Sequence, residues 1–185
     1  MKLYYVNRGS LGQSDEALSL LKSVFEYNYK ENLPDIKKTS AGKPYFPGRL
    51  DIHFSISHSK AHIFCGLSSY PIGVDIENER HISEQVKKYY CSSEELKHFD
   101  PLDLWVLKES YVKLFGLTLA SIKNITFFRE SDDIIPLYNL DNKDHAHNNI
   151  RPLNSHVNSK LYKLDNFRAA VSTTGNFLPE TIETI

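Results

Sequence analysis

The sequence has few cysteines, no long apolar run and no excess of either charge. Its two cysteines, Cys65 and Cys91, have neither the spacing of a zinc site nor the pattern of a disulfide framework. No segment approaches the roughly 20 apolar residues of a membrane helix, and the N-terminus has no apolar signal core. With 22 basic and 23 acidic side chains, the net charge of -1 gives no general attraction to nucleic acid or membranes. We therefore expect a reduced cytoplasmic protein that binds neither.

The residues that are present favour a folded α+β protein. The 185-residue chain is 41% hydrophobic and 12% aromatic, which is enough for a core. Apolar residues recur at helical spacing after Ser14 and over 101–115, and elsewhere they form segments typical of strands. These strand-like segments are 52–57, 61–67, 72–77, 122–128, 134–138, 160–164 and 167–172. We predict a long loop over 141–159 and a loose tail over 175–185.

Two acidic residues, Asp75 and Glu77, stand out in the apolar segment 72–77. Side chains alternate along a strand, so both carboxylates project to one side while Val74 and Ile76 project to the other. Like charges this close repel each other unless a cation lies between them, and oxygen ligands suit magnesium or manganese. The alternative is an edge strand with one solvated acidic face, which is the commoner explanation of an isolated Asp-x-Glu.

A third carboxylate, Glu109, lies on the predicted helix 101–115, one turn before Lys113. Alone, these two residues predict an ordinary ion pair on a helix surface. Combined with Asp75 and Glu77, they predict three carboxylates around one cation, with a lysine that could oppose the charge of a bound diphosphate.

A second cationic pair, Lys43 and His58, precedes the acids in the sequence. The hydroxyls of Ser57 and Ser59 flank His58 and could bind a further phosphate group. Each residue also has a simpler interpretation, because His58 could satisfy backbone carbonyls in a turn and Lys43 could be a solvated loop lysine.

The motifs occur in an order that resembles the 4'-phosphopantetheinyl transferases, and most closely their monomeric, surfactin-synthetase-activating type. The resemblance covers residues 42–116. It rests on Gly42-Lys43-Pro44, Phe54-Ser-Ile-Ser-His58-Ser59, Gly73-x-Asp75-x-Glu77 and Trp105-x-x-Lys108-Glu109-x-x-x-Lys113. It implies Mg²⁺-dependent transfer of 4'-phosphopantetheine from coenzyme A to a serine of an apo acyl or peptidyl carrier protein, with release of adenosine 3',5'-bisphosphate.

The resemblance also implies a role for each residue of the predicted site. Asp75, Glu77 and Glu109 would hold Mg²⁺, or Mn²⁺ in its place, against the coenzyme A diphosphate. Glu109 and Lys113 would be catalytic, as the base for the carrier serine and as the contact to the diphosphate. The residues expected to bind coenzyme A are Lys43, Pro44, Ser57, His58, Asp75 and Lys113. Glu94 matches a further acidic position of the family.

The architecture implied by the resemblance is a monomer of two similar α+β lobes, each an antiparallel sheet packed by a helix, with the active site in the cleft between them. Residues 1–70 would form the lobe on the side of the nucleotide 3'-phosphate, and residues 71–185 the lobe that holds the metal and the diphosphate. The carrier protein would dock near the segment that begins at Ile82 and ends at Tyr90. The alternatives are a metal-dependent phosphohydrolase and a noncatalytic protein that binds coenzyme A or a carrier.

Overall fold

The computed structural model describes residues 1–7, 13–138, 156–164 and 166–185, so most of the loop predicted over 141–159 lies outside the described residues. The helices are α1 (Gln13–Tyr29), α2 (Glu84–Tyr90) and α3 (Pro101–Phe115), with 3-10 turns at Glu95–Lys97 and Leu119–Asn124. The strands are β1 (Lys2–Asn7), β2 (Lys37–Lys38), β3 (Pro44–Tyr45), β4 (His53–Ser59), β5 (His62–Ser68), β6 (Ile72–Asn78), β7 (Ile125–Glu130), β8 (Asp133–Tyr138), β9 (Asn158–Leu164), β10 (Phe167–Thr173) and β11 (Glu183–Thr184). None of the described helices is long and apolar enough to cross a membrane.

Two main sheets are packed by helices, which confirms the predicted α+β class. The first sheet has the strand order β11-β1-β5-β4, and the second has the order β6-β10-β9-β8-β7 with every neighbouring pair antiparallel. Helix α1 covers the first sheet with Leu21, Val24 and Phe25. Helix α3 covers the second sheet with a stripe that includes Leu104 and Leu107. In each helix the apolar residues recur at a spacing that places them on one face, and this face packs against the sheet.

A third cluster of buried side chains joins the two sheets. Leu3 of β1 and Phe64 of β5 pack with Val74 and Ile76 of β6. Val74 and Ile76 are the residues that strand alternation assigned to the side opposite the acids, and both are almost fully buried. Burying this face therefore fixes the side of β6 on which Asp75 and Glu77 lie.

The C-terminal segment differs from the loose tail predicted over 175–185. Strand β11 lies parallel to β1, with Glu183 opposite Tyr4. The backbone N–H of Ile185 donates to the carbonyl of Tyr5, and Ile182 packs against the core shared by the sheets. These partners are distant in sequence, so local pattern could not predict them. The end of the chain thus pairs with the N-terminal sheet, while the division into residues 1–70 and 71–185 stays a prediction.

Helix α3 approaches β6 so closely that only glycine fits at position 73. A Cβ atom on Gly73 would lie 2.0 Å from the carbonyl oxygen of Ser110 and 2.3 Å from the backbone nitrogen of Leu114. Both atoms belong to the helix backbone, which cannot move aside alone. The helix with Glu109 and Lys113 is therefore held directly against the strand with Asp75.

We predict that Gly73→Ala lowers the free energy of unfolding by about 2 kcal/mol or more, because the methyl group must push α3 away from β6. Urea denaturation followed by circular dichroism measures the change. Gly48→Ala is the matched control, since a Cβ atom there would meet no heavy atom within 4 Å. Equal stabilities of the two variants would contradict the close approach.

Candidate functional site

The site lies where an edge strand of one sheet meets an edge strand of the other. Strand β4 ends the first sheet and β6 ends the second. Three serines at alternate positions of β4 bridge the two strands. The Ser55 hydroxyl accepts from the backbone N–H of Val74 at 3.0 Å. The Ser57 and Ser59 hydroxyls donate to carboxylates, Ser57 to Asp75 at 2.7 Å and Ser59 to Glu77 at 2.8 Å.

Asp75, Glu109 and Lys113 are brought together by the packing of α3 on β6. The Lys113 Nζ lies 2.6 Å from the Oδ1 of Asp75 and 3.7 Å from the Oε2 of Glu109. Asp75 is only 3% exposed, and Glu109 is partly buried. The predicted residues of the second lobe therefore form one charged cluster, although their functional roles stay predictions.

Glu77 lies at the outer end of this cluster. Its Oε2 accepts from Ser59, and its Oε1 is 3.6 Å from a guanidinium nitrogen of Arg80. Within the described residues, no three acidic, histidine or cysteine side chains converge closely enough to form a ready-made metal site. Instead, Asp75 is paired with Lys113, and Glu77 is paired with Arg80.

The acids nevertheless suit a divalent cation. The Oδ2 of Asp75 is buried and has no hydrogen-bond partner among the described residues, so one carboxylate oxygen is free for a ligand. Three carboxylates supply the hard oxygen donors that magnesium and manganese prefer. Lys113 and Arg80 offset only part of the charge of the three acids, and a divalent ion would offset more.

Burial and mutual repulsion disturb the ionisation of both inner acids. Burial raises the pKa of Asp75, against the opposing effects of Lys113 and Ser57. Burial, followed by the negative charge of Asp75, raises the pKa of Glu109 to about 7. A carboxylate with a pKa near neutrality can both accept and release a proton at physiological pH. Glu109 therefore has the electrostatic setting of a general base.

Lys43 lies between β6 and the end of α3 rather than in a solvated loop. Its Nζ donates to the carbonyl oxygens of Ile72, at 3.1 Å, and Leu114. Burial lowers the pKa of Lys43 to about 8. The ammonium group thus caps the C-terminal end of α3, where cations are favoured by the helix dipole. This fixed position differs from the solvated-lysine alternative.

A cavity of about 220 Å³ lies beside Lys43. Its wall combines the loop with Lys43 and Pro44, residues 54–56 of β4 and the end of α3, including Lys113. Pro44 belongs to the short strand β3 and is half-buried. Ser57 and His58 follow on β4, where the Ser57 side chain is buried and the His58 side chain is exposed. Of the residues predicted to bind the nucleotide side, Lys43 and Pro44 line this cavity, whereas Ser57 and His58 are not part of its lining.

Sequence reasoning missed a buried ion pair behind the site. Lys108 and Glu95 are each 1% exposed, and the Lys108 Nζ lies 2.9 Å from the Oε1 of Glu95. Glu95 also accepts from the backbone N–H groups of Ser92 and Phe127, which satisfies the buried carboxylate. Glu94, the acid that the resemblance singled out, is exposed and pairs with Lys97. Helical spacing could have indicated the burial of Lys108, because Leu104 and Tyr111 lie on the same face.

Comparisons with known proteins identify the family of this chain. A family model described as the 4'-phosphopantetheinyl transferase superfamily matches residues 71–172, which is more than half of the chain. The chain belongs to this superfamily, and the predicted resemblance is confirmed.

Individual relatives refine the type. The chain is 34% identical over 113 residues to the 4'-phosphopantetheinyl transferase Sfp of Bacillus subtilis (strain 168), which covers 55% of this chain and 50% of that protein. It is 31% identical over 99 residues to the 4'-phosphopantetheinyl transferase gsp of Aneurinibacillus migulanus, covering 46% and 41% of the two chains. The chain spans about half the length of the curated relatives it matches.

We predict that the metal-free protein loses stability between pH 5 and 7 because of Glu109. The folded-state pKa of Glu109 is about 7, above its ordinary value of 4.5, so the folded state retains this proton after the unfolded state has released it. The stabilisation is complete below about pH 4.5 and is lost as the pH rises through about 7. Glu109→Gln should reduce this loss by about 1–3 kcal/mol in urea titrations across this range.

Glu94→Gln is the control for this titration, because Glu94 is exposed and lies outside the cluster. Its stability profile should follow that of the wild type. A Glu109→Gln profile that is parallel to the wild type from pH 5 to 7 would refute the raised pKa.

Proposed function

We propose that this protein transfers the 4'-phosphopantetheine moiety of coenzyme A to a serine of an apo acyl or peptidyl carrier protein. The convergence of Asp75, Glu109 and Lys113, in a chain of this superfamily, is the observation that carries the proposal. The serine oxygen would form a bond to the β-phosphorus of coenzyme A. The bond between this phosphorus and the bridging oxygen of the diphosphate would break at the same time. The serine proton would go to a base, and adenosine 3',5'-bisphosphate would leave.

Asp75, Glu77 and Glu109 would hold Mg²⁺, with Mn²⁺ as a substitute. When bound, the ion would offset the charge of the diphosphate. Lys113 is placed within reach of the same region and would stabilise charge on the departing phosphate. Glu109 would accept the serine proton, directly or through a water molecule.

The cavity of about 220 Å³ is the proposed place for the nucleotide end of coenzyme A. Lys43 and Pro44 would form its wall, and Ser57 and His58 would lie towards the phosphate groups. Because the Lys43 ammonium already bonds two backbone carbonyls, its contribution would be to hold the wall in place. In this proposal residues 1–70 serve the nucleotide, and residues 71–185 serve the metal and the diphosphate. The protein would act as a monomer in the cytoplasm, and its two free cysteines suit a reducing compartment.

The test is incubation of the protein with Mg²⁺, coenzyme A and an apo carrier protein, followed by measurement of the intact carrier mass. A pantetheine adduct that requires Mg²⁺ supports the proposal. Consumption of coenzyme A without an adduct would instead indicate a metal-dependent phosphohydrolase. Binding of coenzyme A or carrier without turnover, across several carriers, would indicate a noncatalytic binding protein.

We predict that Asp75→Ala and Glu109→Ala each lower the transfer rate by about 100-fold or more, because each removes a carboxylate from the charged cluster. Glu94→Ala, an exposed acid paired with Lys97, should keep the wild-type rate. Circular dichroism and thermal unfolding confirm that the variants are folded. Wild-type transfer by a folded Asp75→Ala variant would refute the role of the acids.

The proposed carrier-docking surface consists of Val86, Lys88 and Tyr89 on α2. All three side chains are exposed, whereas Ile82 and Tyr90 anchor the segment in the core. An apolar patch with a cationic neighbour suits the start of an acidic carrier helix. This surface lies on the helix that precedes the buried Glu95 and Lys108 pair, so docking would occur on a rigid support.

We predict that Tyr89→Ala raises the KM for the carrier protein about 5- to 30-fold and leaves kcat within a factor of about two, since an exposed aromatic contact contributes to binding alone. Steady-state kinetics with varied carrier concentration measure the effect. Tyr27→Ala removes an exposed tyrosine of α1 and should change neither constant. Similar effects of both variants, or an unchanged KM for Tyr89→Ala, would place docking elsewhere.

A further inference from the structure

The junction of the two sheets is made by side chains in place of a regular backbone ladder. Along β4, Ser55, Ser57 and Ser59 all project towards β6, because alternate residues of a strand share one face. Ser55 accepts from the N–H of Val74, and Ser59 accepts from the N–H of Asn78 at 3.3 Å. Serine hydroxyls thus satisfy backbone donors on the otherwise unpaired edge of the second sheet.

Ser57 and Ser59 each bond a carboxylate, and Ser55 has no such partner among the described residues. Ser57 donates to the Oδ1 of Asp75 while its oxygen accepts from the Lys113 Nζ at 2.8 Å. Ser59 donates to the Oε2 of Glu77. The two carboxylates on β6 are therefore each held by a hydroxyl from the opposite lobe, and the spacing of two residues is the same on both strands.

Glu77 depends on this contact more than Asp75 does. Asp75 is buried, has a short side chain and bonds both Ser57 and Lys113. Glu77 has a longer side chain that is partly exposed. Its cationic neighbour, Arg80, is 3.6 Å away and half exposed. A carboxylate on a flexible stem must lose rotamer freedom before it can bind a ligand, and a hydroxyl that already fixes one oxygen reduces that loss.

We infer that Ser59 is a positioning residue that holds the Glu77 carboxylate in place for a divalent cation. This inference rests on the proposed function, in which Glu77 is one of three metal ligands. Ser59 itself would not touch the ion. Ser59 would act through Glu77. Because Ser59 lies on β4 and Glu77 on β6, the metal affinity would depend on the contact between these two strands.

The test measures Mn²⁺ binding directly, by titration calorimetry and by the electron paramagnetic resonance signal of the free ion, with no coenzyme A present. Ser59→Ala should weaken Mn²⁺ binding by about tenfold, the size expected when a partner of a metal ligand is removed. Ser59→Thr keeps the hydroxyl and should restore binding to within about threefold of the wild type.

Ser55→Ala is the matched control. It removes an inter-sheet acceptor of a backbone N–H, as Ser59→Ala does, but no carboxylate contact. A purely structural effect of the junction would therefore appear in both variants, whereas a positioning effect appears in Ser59→Ala alone. We expect Ser55→Ala to bind Mn²⁺ within about twofold of the wild type, with thermal unfolding recorded for both variants.

The outcomes separate this inference from the proposed function. Wild-type binding with an unchanged Ser59→Ala affinity would overturn the role of Ser59 and leave the metal site standing. Equal weakening in Ser55→Ala and Ser59→Ala would also overturn it, in favour of a general role of the strand junction. A folded wild-type protein that does not bind Mn²⁺ would overturn both the metal site and the positioning role.

Discussion

Burial of the Asp75 carboxylate between two sheets is the constraint on which the site depends. The carboxylate is 3% exposed, so it must be compensated by groups that the fold brings to it. Ser57 arrives from the first sheet and Lys113 from α3, and each bonds the same oxygen, Oδ1. The Lys113 contact depends on the close approach of α3 to β6 at Gly73, and the Ser57 contact depends on the approach of β4 to β6. The packing that stabilises the junction is consequently also the packing that assembles the charged cluster.

The two sheets are held together by two kinds of interaction that differ in how much they depend on geometry. Apolar burial around Phe64 and Val74 supplies most of the attraction, because it scales with area and needs no exact geometry. The serines of β4 and the ammonium of Lys43 add hydrogen bonds that fix the register. Directional bonds of this kind add little net free energy, but leaving their partners buried and unpaired is costly. These hydrogen bonds therefore determine how the two sheets are positioned, whereas apolar burial determines whether they associate.

Periodicity predicted the parts of the site that lie within one element. Alternation on β6 placed Asp75 and Glu77 on one side, and helical spacing placed Glu109 one turn from Lys113. The order of short motifs then connected the elements through resemblance to a family. Contacts between distant segments could not be read from local pattern. The pairing of β11 with β1, the buried Lys108 and Glu95 pair and the carbonyl partners of Lys43 all depend on tertiary packing.

Glu109 is both the proposed base and a proposed metal ligand, and the charges around it affect both roles. In the described arrangement Lys113 lies 2.6 Å from Asp75, and burial, followed by the charge of Asp75, raises the pKa of Glu109 to about 7 against the opposing effect of Lys113. Added positive charge would favour the ionised form of Glu109, which is the form that accepts a proton. Glu109 would then be ready as a base only when the charge of the cluster is balanced. The ionisation of Glu109 is thus set by its burial and by the net charge of the residues around it.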